Sequence, residues 1–197
     1  MIKLTRPDCP DRRALRRNYK HPTNKAALQN ACFDKCMYCE SKVTQVYFGD
    51  VEHHRPRDTF PLLEFVWDNL GFVCARCNNE KLNKWSDETP FIDPFLDEPD
   101  EHLAAVGPFV FHRNGSERGE YTWRQIGLNR PDLFERRVER IAVIQDFIDK
   151  LTRTRGEELR ELILRELKRE LEDDKEYAMV SREACRQLRN RHESGRN

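Results

Sequence analysis

The chain has 197 residues, with 35 Lys/Arg against 35 Asp/Glu for a formal net charge of zero, and 38% hydrophobic and 36% charged residues. That balance suits one compact domain with a modest core and long polar helices, and no apolar run approaches the roughly 18 to 20 residues that would span a membrane. The opening MIKLTRPDCP lacks the apolar centre of a secretory signal, and the seven cysteines are an odd number that fits a reducing compartment, so the expected location is the cytoplasm.

Positive charge is concentrated at the start. Residues 1–30 hold eight Lys/Arg against Asp8 and Asp11, and are read as a basic N-terminal arm. Asp11 can cap a helix beginning at Arg12, which would set Arg12, Arg13, Arg16 and Arg17 in pairs one turn apart. Such a face neutralises phosphates; a solvated helix, or one docking an acidic partner, has the same pattern.

A short helix is expected from Ala26 to Phe33, then two Cys-x-x-Cys pairs, Cys36/Cys39 and Cys74/Cys77, with residues 40–73 between them. Each pair can wrap an ion within one turn, and four thiolates satisfy tetrahedral Zn²⁺. Cys32, four before Cys36, is an alternative ligand that the spacing disfavours, and Cys9 and Cys185 are left as free thiols. The gap exceeds that of a plain zinc ribbon, so an insertion is expected there. Val43 to Phe48 reads as a strand, Gly49-Asp50 as a turn, and Val51 to His54 as a second strand stopped by Pro56. Trp67, Leu70, Phe72 and Val73 are the expected core of this lobe. Ala75 to Trp85 should form a helix with Asn78 in its first turn and Lys81 and Lys84 on one face. Lys81, Lys84, Arg55 and Arg57 are candidate phosphate contacts.

Pro90 to Pro99 is too rich in proline for a long helix. Phe109-Val110-Phe111 and Tyr121-Thr122-Trp123 flank a turn at Asn114-Gly115 and read as a hairpin that could extend the sheet of the lobe. From Pro131 the period becomes helical, with stripes through Leu133, Val138, Ile141, Ile144, Ile148 and Leu151, through Leu159, Ile163, Leu167 and Leu171, and through Tyr177, Val180, Ala184 and Leu188. Gly156 and Asp173-Asp174 should separate these helices. The expected division is residues 1–30, 31–130 and 131–197.

Glu52-His53-His54-Arg55-Pro56, Asn69 and Asn78, set between and after the cysteine pairs, resemble the HNH (ββα-metal) endonucleases. The resemblance covers residues 36–85. It implies an α+β fold with a zinc-stapled ββα-metal lobe, a hairpin and a C-terminal helical extension. It further implies Glu52 and Asn78 as ligands of a catalytic Mg²⁺ or Mn²⁺, His53 as general base and Asn69 as the brace of the base's loop. Strand alternation turns His53 and His54 to opposite faces, and His53 is preferred because it directly follows the acid. The chemistry agrees: a neutral imidazole can take a proton from water near pH 7, and carboxylate and amide oxygens suit a hard cation. Beyond the motif, CMYCES, VEHHRPR, WDNL, CARCNNEK and GLNRPDLFERR are similar to HNH subunits of Septu-type bacterial anti-phage defence. That likeness implies a partner ATPase and a nucleic-acid substrate, DNA rather than RNA. The reading from another class is a zinc-stabilised nucleic-acid-binding or adaptor module without catalysis.

Overall fold

The computed structural model describes residues 1–43 and 49–194. Helix α1 is a single turn, Arg12–Leu15, capped by the Asp11 carboxylate, which accepts from the Ala14 amide at 2.8 Å. Pro22 opens α2 (Pro22–Ala31), whose Leu28 is fully buried. Strand β1 (Asp50–His53) pairs antiparallel with β2 (Leu70–Val73), His53 opposite Leu70 and Asp50 opposite Val73. Most of the strand expected over Val43 to Phe48 lies outside the described residues. Gly49, just before β1, has φ of +55°, and a Cβ there would come within 2.4 Å of the Phe72 ring, so this turn requires glycine. Helix α3 (Ala75–Lys81) follows directly, its first turn capped by the Cys74 sulfur. It is shorter than the expected helix to Trp85, because Leu82 adopts a φ of 45° and breaks it.

The stretch from Pro90 is core rather than connector. Phe91 and Ile92 are fully buried, and Leu4 donates to the Pro94 carbonyl. After α4 (Pro99–His102), β3 (Leu103–Val106) pairs with β4 (Phe109–His112) around Gly107-Pro108. This corrects the expected hairpin in two ways. Tyr121-Thr122-Trp123 lies in helix α5 (Glu117–Ile126), and the β3–β4 pair is a sheet of its own, separate from β1–β2. The capping signals outweigh the strand preference of Tyr, Thr and Trp. The Ser116 hydroxyl accepts from the Gly119 amide, Gly127 ends the helix in the left-handed region, and Gly119, Thr122 and Ile126 share a buried face.

Pro131 starts α6 (Pro131–Arg153), Gly156 precedes α7 (Glu157–Glu170), and α8 (Ala178–Ser194) completes the bundle. Leu133, Ile144, Ile148, Leu167, Tyr177, Val180 and Ala184 are buried as their spacing predicts. Val138 and Leu159 depart from it, at 44% and 53% exposed. The basic arm does not stand apart from the rest: Met1, Ile2, Leu4, Leu15 and Leu28 join the same apolar cluster as Phe72, Leu133 and Val180. Arg6 fastens it further, donating to the carbonyls of Trp67 (3.1 Å) and Leu70 (2.7 Å). Burying a side chain such as Phe72 or Leu70 contributes about 1.5–3 kcal/mol, and every residue of β2 is buried, so the β1–β2 hairpin is held by apolar packing on both of its faces. No helix among the described residues is long and apolar enough to cross a membrane.

Candidate active site

Two centres lie side by side. In the first, the sulfurs of Cys36, Cys39, Cys74 and Cys77 all fall within 4.8 Å of one another, and Cys39 and Cys74 are 3.8 Å apart. A tetrahedral ion with sulfur at about 2.3 Å would separate its ligands by about 3.8 Å, so the donor set fits Zn²⁺ in both type and spacing. Cys32 is not part of the group; it is fully buried nearby, and burial pushes its thiol up to about 12. The chain after position 127 clamps this centre. Arg130 donates to the Cys77 sulfur at 3.6 Å, the Tyr177 and Ser41 hydroxyls are 2.9 Å apart, and Lys35 donates to the carbonyls of Asp173 and Lys175. Sequence reasoning did not assign Arg130 this place, although its position just before Pro131 at the start of α6 holds it there.

The second centre is a cleft of about 180 Å³. Glu52 and His53 reach it from β1, Asn78 from α3, and Tyr19 and Lys20 from the segment after α1, with Arg57, Asp58 and Asn83 at its walls. The His53 Nε2 lies 3.0 Å from the Glu64 carbonyl. A carbonyl only accepts, so Nε2 carries the hydrogen and Nδ1 keeps the lone pair. Burial lowers the pKa of His53, with Arg57 and Lys81 pushing the same way against the Glu64 carbonyl, which keeps the imidazole neutral near pH 7. The Tyr19 ring packs 4.5 Å from the imidazole centroid to centroid. Glu64 and Tyr19 were not anticipated. Glu64 acts through its backbone, which carries no residue-type signal, and Tyr19 is distant in sequence.

His54 occupies the core instead, its Nδ1 3.4 Å from the Tyr38 hydroxyl and its ring edge-on to Trp85, and burial drives its pKa down to about 3. Asn69 lies outside the cleft. Its carboxamide accepts from the Arg55 amide (2.8 Å) and donates to the Arg55 carbonyl (3.0 Å), closing the loop that leaves β1. Asn78 donates its amide hydrogen toward Asp50 at 3.3 Å, and its Oδ1 has no hydrogen-bond partner among the described residues; Asp50 also holds Lys20 at 2.9 Å.

Lys81 differs from its expected place. It has no exposure at all, and its ammonium donates to Glu52 Oε1 (2.6 Å) and to the His53 carbonyl (2.9 Å), so it cannot meet a phosphate at the surface. The expected phosphate contacts Lys84, Arg55 and Arg57 are exposed. Arg55 lies 5.4 Å over Trp85 and Arg57 5.8 Å over Tyr19, while Lys84, set beyond the end of α3, reaches the Gln125 carbonyl at 3.5 Å. Arg12, Arg13, Arg16 and Arg17 are all exposed, on and just after α1, a few residues before Tyr19 and Lys20 of the cleft wall.

Residues 36–84, which contain both centres' metal-binding candidates, match the HNH endonuclease family, so this part of the chain is of the HNH type. Two relatives narrow the likeness. A Septu protein PtuB of Bacillus thuringiensis is 39% identical over 83 residues, covering 42% of this chain and 32% of that protein. A Septu protein PtuB of Bacillus mycoides (strain KBAB4) is 26% identical, covering 61% of this chain and 52% of the relative. The chain thus spans between a third and about half of the length of these curated relatives.

Proposed function

We propose that the protein is a metal-dependent HNH endonuclease that hydrolyses phosphodiester bonds, with DNA as substrate, and that it serves as the nuclease subunit of a Septu-type anti-phage system in the cytoplasm beside a PtuA-like ATPase. The observation that carries this reading is the convergence of Glu52, His53 and Asn78 on one cleft, with the His53 Nε2 bonded to the Glu64 carbonyl and no partner for its Nδ1 among the described residues.

In this reading His53 takes the proton of the attacking water at Nδ1, and the Glu64 carbonyl stabilises the imidazolium that results through the hydrogen on Nε2. Glu52 and the Oδ1 of Asn78 are hard oxygen donors on adjoining elements and would hold Mg²⁺ or Mn²⁺. When bound, that cation neutralises charge on the scissile phosphate and the leaving oxygen. Asn69 keeps the loop between β1 and Glu64 closed, so that the imidazole keeps its orientation. Arg12, Arg13, Arg16, Arg17, Arg55, Arg57 and Lys84 track the backbone of the nucleic acid without reading its sequence. The four cysteines bind Zn²⁺ structurally, and Arg130, Tyr177 and the carbonyls of Asp173 and Lys175 brace that knuckle. Thiolates take the soft ion and oxygens the hard one, so the two metals do not compete.

The test is cleavage of plasmid DNA and of RNA by the zinc-loaded chain, with and without Mg²⁺ and with the partner ATPase where its gene is adjacent. Mg²⁺-dependent cutting that His53→Ala abolishes supports the reading. Nucleic-acid binding without cutting under every condition would favour the adaptor module.

A further inference from the structure

Lys81 is the last residue of α3, one helical turn beyond Asn78, and is among the largest fully buried side chains of the protein. Its ammonium reaches back to β1 and touches two of the site's own elements, the Glu52 carboxylate at 2.6 Å and the backbone carbonyl of His53 at 2.9 Å, with the Phe91 ring 5.5 Å away on its core side. A buried ammonium is costly, and a methionine would fill the same space without that cost, so its charge calls for an account. Packing alone gives none.

The contacts supply one. Glu52 Oε1 is held by the Lys81 ammonium, so a cation would meet this carboxylate chiefly through Oε2, which has no partner among the described residues. Asn78 adds a neutral oxygen, and the neighbouring carboxylate, Asp50, is taken by Lys20. Counting both ion pairs, the protein offers the cleft almost no net negative charge. A divalent cation sharing Glu52 with Lys81 is repelled by it, and the missing negative charge has to come from the phosphate of the substrate.

We propose that Lys81 is a positioning residue that holds Glu52 as a weak, one-oxygen ligand, so that the catalytic cation binds firmly only together with the nucleic acid. This rests on the nuclease reading above. It makes idle cation occupancy low and ties assembly of the site to arrival of the scissile phosphate.

Mn²⁺ alone is the probe. Its binding to the zinc-loaded full chain, without nucleic acid, is followed by the electron paramagnetic resonance of free Mn²⁺. Lys81→Gln keeps a hydrogen-bond donor beside Glu52 and removes the charge. It should bind Mn²⁺ at least about ten-fold more tightly than the native chain, because a like charge sharing the carboxylate is gone, and Glu52→Gln combined with Lys81→Gln should abolish the gain. A purely structural lysine predicts the opposite, since a loosened site binds less well. Unchanged or weaker Mn²⁺ binding by Lys81→Gln overturns the proposal.

Lys81→Gln also leaves Glu52 buried without its counter-charge, so thermal unfolding is measured with and without Mn²⁺. The rise in midpoint on adding Mn²⁺ should be larger in the variant than in the native chain. A variant that remains unfolded at saturating Mn²⁺ counts against the proposal, because Mn²⁺ should then replace the missing charge. Plasmid cleavage by the native chain and by His53→Ala, run in parallel, separates the two claims. Native cutting lost in His53→Ala, with no tightening in Lys81→Gln, refutes only the role of Lys81, whereas a native chain that cuts neither plasmid nor RNA under any condition refutes the nuclease reading as well.

Discussion

Replacing Asn69 by alanine should damage the site without touching a metal ligand. Asn69 is 6% exposed, and its side chain makes bonds of 2.8 and 3.0 Å to the amide and carbonyl of Arg55 and a longer one of 3.4 Å to the Leu63 carbonyl. Arg55 itself is exposed, so water can recover part of what is lost, while the carbonyl of Leu63 is left without that donor. At about 1 kcal/mol for each bond unmade, with partial recovery at Arg55, Asn69→Ala should cost about 2 kcal/mol. For a urea slope of about 2 kcal/mol/M, that is a fall of about 1 M in the unfolding midpoint. The loop concerned joins His53 to Glu64, whose carbonyl fixes the imidazole, so cleavage should fall more than about ten-fold as the base loses its alignment. Urea titration followed by tryptophan fluorescence, zinc analysis and a plasmid assay on one preparation read all three effects. Zinc content should stay native. A midpoint within about 0.2 M of the native value would refute the reasoning, since by the same slope the bonds would then contribute almost nothing.

Cys77→Ser should lower zinc to well below the expected one ion per chain and unfold the β1–β2 lobe, as metal analysis and circular dichroism can check, because structural zinc contributes folding free energy outright. Neutralising Arg12, Arg13, Arg16 and Arg17 together should flatten the salt dependence of nucleic-acid binding by up to four phosphate contacts; an unchanged slope with loss of a protein partner would make α1 an assembly element. Burial holds the Cys32 thiol at about 12 in the folded state against 9.0 ordinarily, so its contribution is whole below pH 9 and drains away as pH rises through the folded value. The stability difference between the native chain and Cys32→Ala in urea should therefore shrink by about 1.4 kcal/mol from pH 8 to pH 10, and a constant difference would contradict that burial.

Much of the cysteine centre and the cleft was legible because their signals are local. Two Cys-x-x-Cys pairs mark a four-sulfur cluster able to hold a metal whatever the fold between them, and an acid followed by histidine before Pro56 marks the end of β1. Arithmetic on a helix failed where the helix stopped. Lys81 and Lys84 share a face only on a continuous α3, and Leu82 with its positive φ ends it; Lys81, one turn after the buried Cys77, faces inward to Glu52, while Lys84 lies beyond the helix and outside. Residues 109–126 misled for another reason: aromatic and β-branched residues favour strands, but the cap at Ser116, the stop at Gly127 and the buried Thr122, whose hydroxyl accepts from the Ile92 amide at 2.9 Å, favour a helix. The carbonyl of Glu64, the ring of Tyr19 and the guanidinium of Arg130 act through tertiary proximity, which no spacing encodes.

The most direct measurement is a cleavage series with His53→Ala and His54→Ala at fixed Mg²⁺, with zinc content and nucleic-acid affinity recorded for each. His53→Ala should lose a factor on the order of 10² or more in rate while both controls stay native, the scale of a missing general base. His54→Ala should act through stability, since His54 packs between Tyr38 and Trp85 rather than in the cleft, and its folded fraction should cut at close to the native rate. Loss of cutting in folded His54→Ala with full activity in His53→Ala would contradict the assignment, and full activity in both would remove the nuclease from this cleft.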